Sequence, residues 1–138
     1  MSWQKNSVNY LTKEQILLIH SILIDETGGS HGVRDHNAIL ALEGLPRQSV
    51  FGKELYPTVF LKAAVYCRNI LFNHPFFDGN KRTGMTTAGI FLENNGYHII
   101  AQEGQIEKFA LEIIRERYDV QDIARWLKIN SKKRKMGR

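Results

Sequence analysis

The sequence predicts an all-α domain of about six helices, and three observations carry that prediction. Apolar residues recur at helical spacing in one stretch after another between Ile16 and Leu127. No stretch gives a strong strand signal. No internal repeat and no linker rich in Pro, Gly or Ser divides the chain, so the helices share one core. The 138 residues fit a single domain, with 43% apolar residues to fill it and an ordinary 24% charged. We place that domain at residues 1–130 and a basic tail at 131–138.

Thr12-Lys13-Glu14-Gln15 reads as a capping box, and Ile16, Ile19 and Leu23 follow at helical spacing, giving a first helix to about Asp25. The glycines of Thr27-Gly28-Gly29-Ser30-His31-Gly32 end it. His31 and His36 lack partner ligands nearby, so a solvated loop is expected there rather than a metal site. Asp35 caps a short second helix through Ile39 and Leu42, which stops before Pro46. Arg47 to Tyr56 has no clear period and is either extended or a hairpin. Pro57 sits at the first turn of a third helix, whose stripe is Phe60, Ala64, Cys67 and Leu71. Cys67 is a core residue, since nothing local would activate it. Pro75 disfavours a helical His74 and ends the third helix there. The fourth runs from about Asn80 to Asn94, and its small residues, Gly84, Ala88 and Gly89 among them, suit a central buried helix. Asn95-Gly96 stops it. Tyr97 to Ile100 is a short exit, extended or a turn. Ile106, Phe109, Ala110, Ile113 and Ile114 mark a fifth helix; Asp119 caps a sixth, with Ile123, Ala124 and Leu127 inward.

One lone cysteine fits a reducing compartment. No stretch approaches the roughly 20 apolar residues of a membrane span, and the N-terminus has no signal-peptide core. A cytoplasmic protein is expected. The net charge is +5, part of it in Lys132-Lys133-Arg134-Lys135. No aromatic residues interleave those charges, so we read a solvated tail and expect no direct nucleic-acid contact. A partner with an acidic surface stays open.

Chemistry concentrates in His74-Pro75-Phe76-Phe77-Asp78-Gly79-Asn80-Lys81-Arg82-Thr83. Gly79 permits backbone angles a side chain would forbid, and Asn80 stands where a helix should start and can cap it. A helix start offers unpaired N–H groups and the positive end of the dipole to an anion. Lys81 and Arg82 add charge there, Arg with a two-pronged grip on phosphate. Asp78 is a hard oxygen ligand suited to a Mg²⁺ shared with phosphates. His74 has the side chain suited to proton transfer near neutral pH. A Walker-type loop is excluded, because the upstream glycine and the G-K-[ST] ending are missing.

This stretch resembles the signature of the Fic/Doc family, in its death-on-curing (Doc) branch: His, any residue, Phe, any residue, Asp or Glu, a small residue, Asn, Gly or Lys, Arg. Thr83 and Phe91-Leu92-Glu93-Asn94-Asn95-Gly96-Tyr97 are also similar to Doc proteins, and a looser likeness runs from about Tyr10 to about Leu127. The resemblance implies a compact helical domain and a transferase that uses ATP and Mg²⁺ to modify a protein hydroxyl. His74 would be the base and Phe76 a buried structural ring. Asp78 would hold Mg²⁺, Gly79 and Asn80 would offer backbone and amide donors to the phosphates, and Lys81 and Arg82 would neutralise developing charge. A flap over Ser49 to Gly52 would guide the target's backbone.

Two enzymes fit the resemblance: a Doc-like kinase acting on elongation factor Tu, a translation factor, to arrest growth, and a Fic-like AMP transferase. A non-enzymatic binding module is the third reading. AMP-transferring relatives usually carry Gly after the Asn and a second Arg three residues beyond the first; here Lys81 and Met85 occupy those positions, which favours phosphoryl transfer. Self-restrained Fic enzymes carry Ser or Thr, three residues, Glu, then Gly or Asn. Ile39, Gly89 and Ile99 stand four residues before the three Glu-Gly or Glu-Asn pairs, so a separate antitoxin partner is expected.

Overall fold

The helices form in the predicted order, and each starts or stops for a reason visible in the sequence. The computed structural model describes residues 7–135. Helix α1 spans Lys13–Thr27, two residues longer than predicted, and its capping box is closed from both sides: Thr12 Oγ1 accepts from Gln15 N–H at 3.1 Å, and Gln15 Oε1 accepts from Thr12 N–H at 2.8 Å. Helix α2, His36–Gly44, is capped by Asp35 as expected, and a 3-10 turn over Leu45–Arg47 carries the chain past Pro46. Helices α5, Glu103–Glu116, and α6, Val120–Ile129, present the apolar stripes read from the sequence, with Asp119 capping α6.

Helix α3, Val59–Asn73, and helix α4, Asn80–Glu93, form the centre together. The small residues of α4 point to that helix alone. In α3 every residue from Lys62 to Cys67 is buried, and the helix packs chiefly on α4 and α6. Burial pushes the Cys67 thiol up to about 12, which makes it an inert core group. The two glycines inside α4 differ in purpose. A Cβ on Gly84 would stand 2.2 Å from Leu71 Cδ1 and 3.2 Å from the Cys67 carbonyl, so that glycine lets α3 and α4 approach. A Cβ on Gly89 would meet only Ile99 Cδ1 at 3.7 Å.

Three local expectations are corrected. Pro57 lies outside α3: Thr58 is the cap, its Oγ1 accepting from Leu61 N–H at 3.1 Å. Asn80 is not the cap of α4; Gly79 is, in the left-handed region at φ 76°, and the Asn80 side chain turns back into the loop. The domain is mostly helical, but two small antiparallel sheets exist among the described residues. Strands β1, Ser49–Val50, and β2, Lys53–Glu54, form the hairpin that the sequence left as one option. Its turn residues Phe51 and Gly52 both have positive φ, the pattern of a type I′ turn. Strands β3, Tyr97–Ile99, and β4, Ser131–Lys133, pair in the register Tyr97 with Lys133 and Ile99 with Ser131. The first part of the basic segment is therefore fixed by backbone hydrogen bonds rather than frayed, while residues 136–138 lie outside the described residues. These strands are too short and polar to announce themselves by alternation. No helix among the described residues is long and apolar enough to cross a membrane.

Candidate active site

Helix α3 ends at His74, which closes it in the left-handed conformation at φ 47°, ψ 61°. That conformation is unusual for a residue with a side chain. Its neighbours hold it there. Arg34 Nε donates to the His74 carbonyl at 2.6 Å and Arg34 Nη2 to the Asn73 carbonyl at 2.7 Å, so one guanidinium satisfies two acceptors left open by the helix end. The Arg34 and Asp35 N–H groups both donate to the Pro75 carbonyl, and Phe77 N–H donates to the Gly32 carbonyl at 3.3 Å. Val33 and Phe76 thus form an isolated antiparallel bridge. The segment between α1 and α2 is a clamp laid alongside the motif.

Phe76 is 1% exposed, as expected of a structural ring. What it packs on was not foreseen: the His20 imidazole of α1 lies flat against it, centroids 3.7 Å apart and planes 4° from parallel. His20 Nε2 donates to the Asp78 carbonyl at 2.8 Å. The Asp78 carboxylate accepts from Gly79 N–H at 2.9 Å through Oδ1 and from Ser30 N–H at 3.0 Å through Oδ2. Gly29 makes room for it, since a Cβ there would come within 2.7 Å of Oδ2.

Asn80 is mostly buried and braces the loop from inside. Its Oδ1 accepts from Phe76 N–H at 3.1 Å and its Nδ2 donates to the Phe76 carbonyl at 2.9 Å. The same Nδ2 lies 3.5 Å from His74 Nδ1, too long a contact to fix the imidazole tautomer. The side-chain amide expected to face phosphate is thus committed to the loop. The backbone N–H groups of Asn80, Lys81 and Arg82 lie in the first turn of α4, where a helix supplies no partner.

These residues line a cavity of about 700 Å³ between α4 and α5, together with Asp78, Gly79, Met85, Ile90, Ile106 and Leu111. Lys81 is exposed at its rim. Arg82 is half-buried and leans toward α5, its Nη2 3.4 Å from Glu107 and 3.7 Å from Glu103. Met85 is 5% exposed, with Sδ 3.6 Å from Cys67 Sγ. Of the six expected site residues, Asp78 to Arg82 line this cavity, whereas His74, at the end of α3, is not among its lining residues. His31 binds only Asp25, at 2.8 Å, and no cluster of three metal-binding side chains occurs among the described residues.

The donor set fits a nucleotide carrying its own divalent ion. One carboxylate beside a helix start suits Mg²⁺ held largely by phosphates. Each Asp78 oxygen keeps a lone pair beyond its single N–H bond.

Residues 10–92 match the model of the Fic/DOC family. Toxin Doc of Mycolicibacterium smegmatis is 37% identical over 92 residues, 67% of this chain and 68% of that protein. Protein kinase doc of Escherichia phage P1 is 28% identical over 92 residues, 67% of this chain and 72% of that protein. The match holds the whole braced loop together with the helices on either side of it, and on that ground the chain belongs to the Fic/DOC family, in its Doc branch.

Proposed function

We propose that this protein is a Doc-like toxin: a kinase that moves the γ-phosphate of ATP onto a Ser or Thr hydroxyl of a translation factor, elongation factor Tu being the expected target, and so arrests growth. The observation that carries the reading is that Asp78, the left-handed Gly79 and the first-turn residues Asn80, Lys81 and Arg82 of α4 line one cavity. The relatives named Toxin Doc and Protein kinase doc support it. A cytoplasmic setting and a separate antitoxin complete the proposal.

In this reading the target hydroxyl attacks the γ-phosphorus, the bond to the ADP oxygen breaks, and the hydroxyl proton passes to His74. Mg²⁺ held with the nucleotide would neutralise charge between the phosphates. Asp78 orients that pair, the α4 N–H groups and Lys81 bind phosphate oxygens, and Arg82 turns from its acidic neighbours to the transferring group. Lys81 fills the place where a glycine would leave the backbone open, and Met85 offers no second bidentate grip. Both features favour a nucleotide seated with its γ-phosphate at His74.

The β1–β2 hairpin is the proposed guide for the target backbone. Phe51 stands fully exposed at its tip. Buried Lys62, in the first turn of α3, anchors the hairpin: its Nζ lies 2.5 Å from Glu54 and donates to the Tyr56 carbonyl at 2.6 Å. Lys62 and His74 are about 18 Å apart along α3 at 1.5 Å per residue. A target strand running from hairpin to base would span about five or six residues at 3.3 Å each.

Protein adenylylation is the second reading, favoured only by the length of the cavity, which runs past Lys81 and Met85 to Leu111. The test is transfer from ATP labelled on the γ- or on the α-phosphate, with Mg²⁺ and elongation factor Tu. Label reaching the target from the γ-position alone is expected. Label arriving from the α-position would make the protein an AMP transferase.

A further inference from the structure

His20 comes from α1, far from the motif in sequence, and no role assigned so far uses it. It is 3% exposed. Its ring fills the space beneath the loop: one face lies on Phe76, and the ring edge stands 3.8 Å from where a Gly79 Cβ would be. Its one polar contact with the loop is the 2.8 Å bond from Nε2 to the Asp78 carbonyl. That carbonyl lies at the start of α4, where the peptide following it leads into the left-handed Gly79. Fixing the carbonyl fixes the plane of the Asp78–Gly79 peptide. The same peptide carries the Gly79 N–H that binds Asp78 Oδ1.

We infer that His20 is the positioning residue for the metal ligand of this site: by holding the Asp78 carbonyl it sets the direction of the Asp78 carboxylate. The inference rests on the proposed role of Asp78 in holding Mg²⁺ with ATP. Stacking and hydrogen bonding are separable contributions. The stack on Phe76 fixes where the ring sits, and the Nε2 donor fixes the peptide. A carbonyl that loses its donor moves to find another partner, and the Asp78 carboxylate would turn with it.

Two variants separate these contributions. His20→Phe keeps an aromatic ring against Phe76 and removes the donor. His20→Gln removes the ring but places an amide N–H as many bonds from Cα as Nε2. Binding of ATP by the full-length protein is measured by calorimetry with and without Mg²⁺, and hydrogen exchange is followed by mass spectrometry over residues 76–83.

In His20→Phe we expect unchanged affinity for ATP without Mg²⁺. The gain in affinity on adding Mg²⁺ should fall about tenfold, and exchange at residues 76–83 should quicken. His20→Gln should recover most of the Mg²⁺ gain. Wild-type Mg²⁺ gain and exchange in His20→Phe would overturn the inference. So would equal loss of affinity with and without Mg²⁺ in both variants, the mark of a merely structural residue. If the wild-type protein binds ATP with no response to Mg²⁺, the role of Asp78 fails instead; quickened exchange in His20→Phe, restored in His20→Gln, would still show His20 holding the loop.

Discussion

The two sides of the motif loop are built to different standards. On the side facing α1 and the α1–α2 segment, backbone and buried groups are tied by bonds of 2.6 to 3.1 Å from Arg34, His20, Ser30 and Asn80. On the side facing α5, Lys81 is exposed and Arg82 meets Glu103 and Glu107 only at 3.7 and 3.4 Å. Exposed pairs of that kind are worth little, about 0–1 kcal/mol. In the proposed mechanism the braced side carries His74 and Asp78, which would have to be in place before reaction. The loose side carries the cations, which would move onto phosphate. Residues 10–92, the part matched to the family, contain the whole braced side, whereas the acidic wall of the cavity lies beyond them. Preorganised electrostatics favour this division: fixed groups avoid reorganisation during reaction, and mobile cations can follow developing charge.

The comparison is broken hardest at Arg34. Arg34→Ala removes both side-chain bonds that hold the left-handed helix end. We expect a stability loss of about 1–3 kcal/mol for two hydrogen bonds at about 0.5–1.5 kcal/mol each and a fall in turnover of about 10- to 100-fold, since small misplacements of reacting groups carry costs of that order. Thermal unfolding and single-turnover transfer measure the two. Arg34→Lys should not rescue, because an ammonium cannot span two carbonyls as the guanidinium does.

Gly29→Ala is expected to do less. Its φ of 116° costs about 1–3 kcal/mol for a residue with a side chain, and its Cβ would push on Asp78. Gly28→Ala is the control, with φ 87° and nothing within 4 Å of its Cβ. Both should lower the melting temperature, and only Gly29→Ala should weaken the Mg²⁺ dependence of ATP binding. Equal Mg²⁺ dependence in the two would show that Gly29 does not act through Asp78.

The smallest effect is expected on the loose side, with the opposite sign. Glu103→Gln with Glu107→Gln releases Arg82 and removes two negative charges from the cavity wall. ATP should bind about two- to fivefold more tightly, as an exposed pair worth about 0–1 kcal/mol allows, and the gain should shrink in high salt. Weaker binding would mean that the glutamates hold Arg82 in its working position.

How much of this was legible in the sequence depended on distance along the chain. The motif is local, so a loop running into a helix start could be read from ten consecutive residues. The braces were not readable in that way, since Arg34, Ser30 and His20 reach the loop across 40, 48 and 58 residues. One signal for His20 was available: it follows Ile16 by four positions and belongs to the buried face of α1 with Ile19 and Ile24. A histidine on an apolar stripe needs a partner. Asn80 suits a cap by residue type, but Gly79 in the left-handed region takes that position and leaves the amide to the loop. Lys62, buried in an apolar helix, gave no hint of its carbonyl partners from spacing alone.

The proposal that His74 is the base of a phosphoryl transfer is tested most directly by the mass of the target. Elongation factor Tu is incubated with ATP, Mg²⁺ and either wild-type protein or His74→Ala, and its intact mass is followed with time. The account predicts a gain of one phosphoryl group with wild type, slowed about 10²–10⁴-fold in His74→Ala while ATP affinity and melting temperature stay near wild type. A phosphoryl gain at the same rate in His74→Ala, or a gain of AMP in its place, would contradict it.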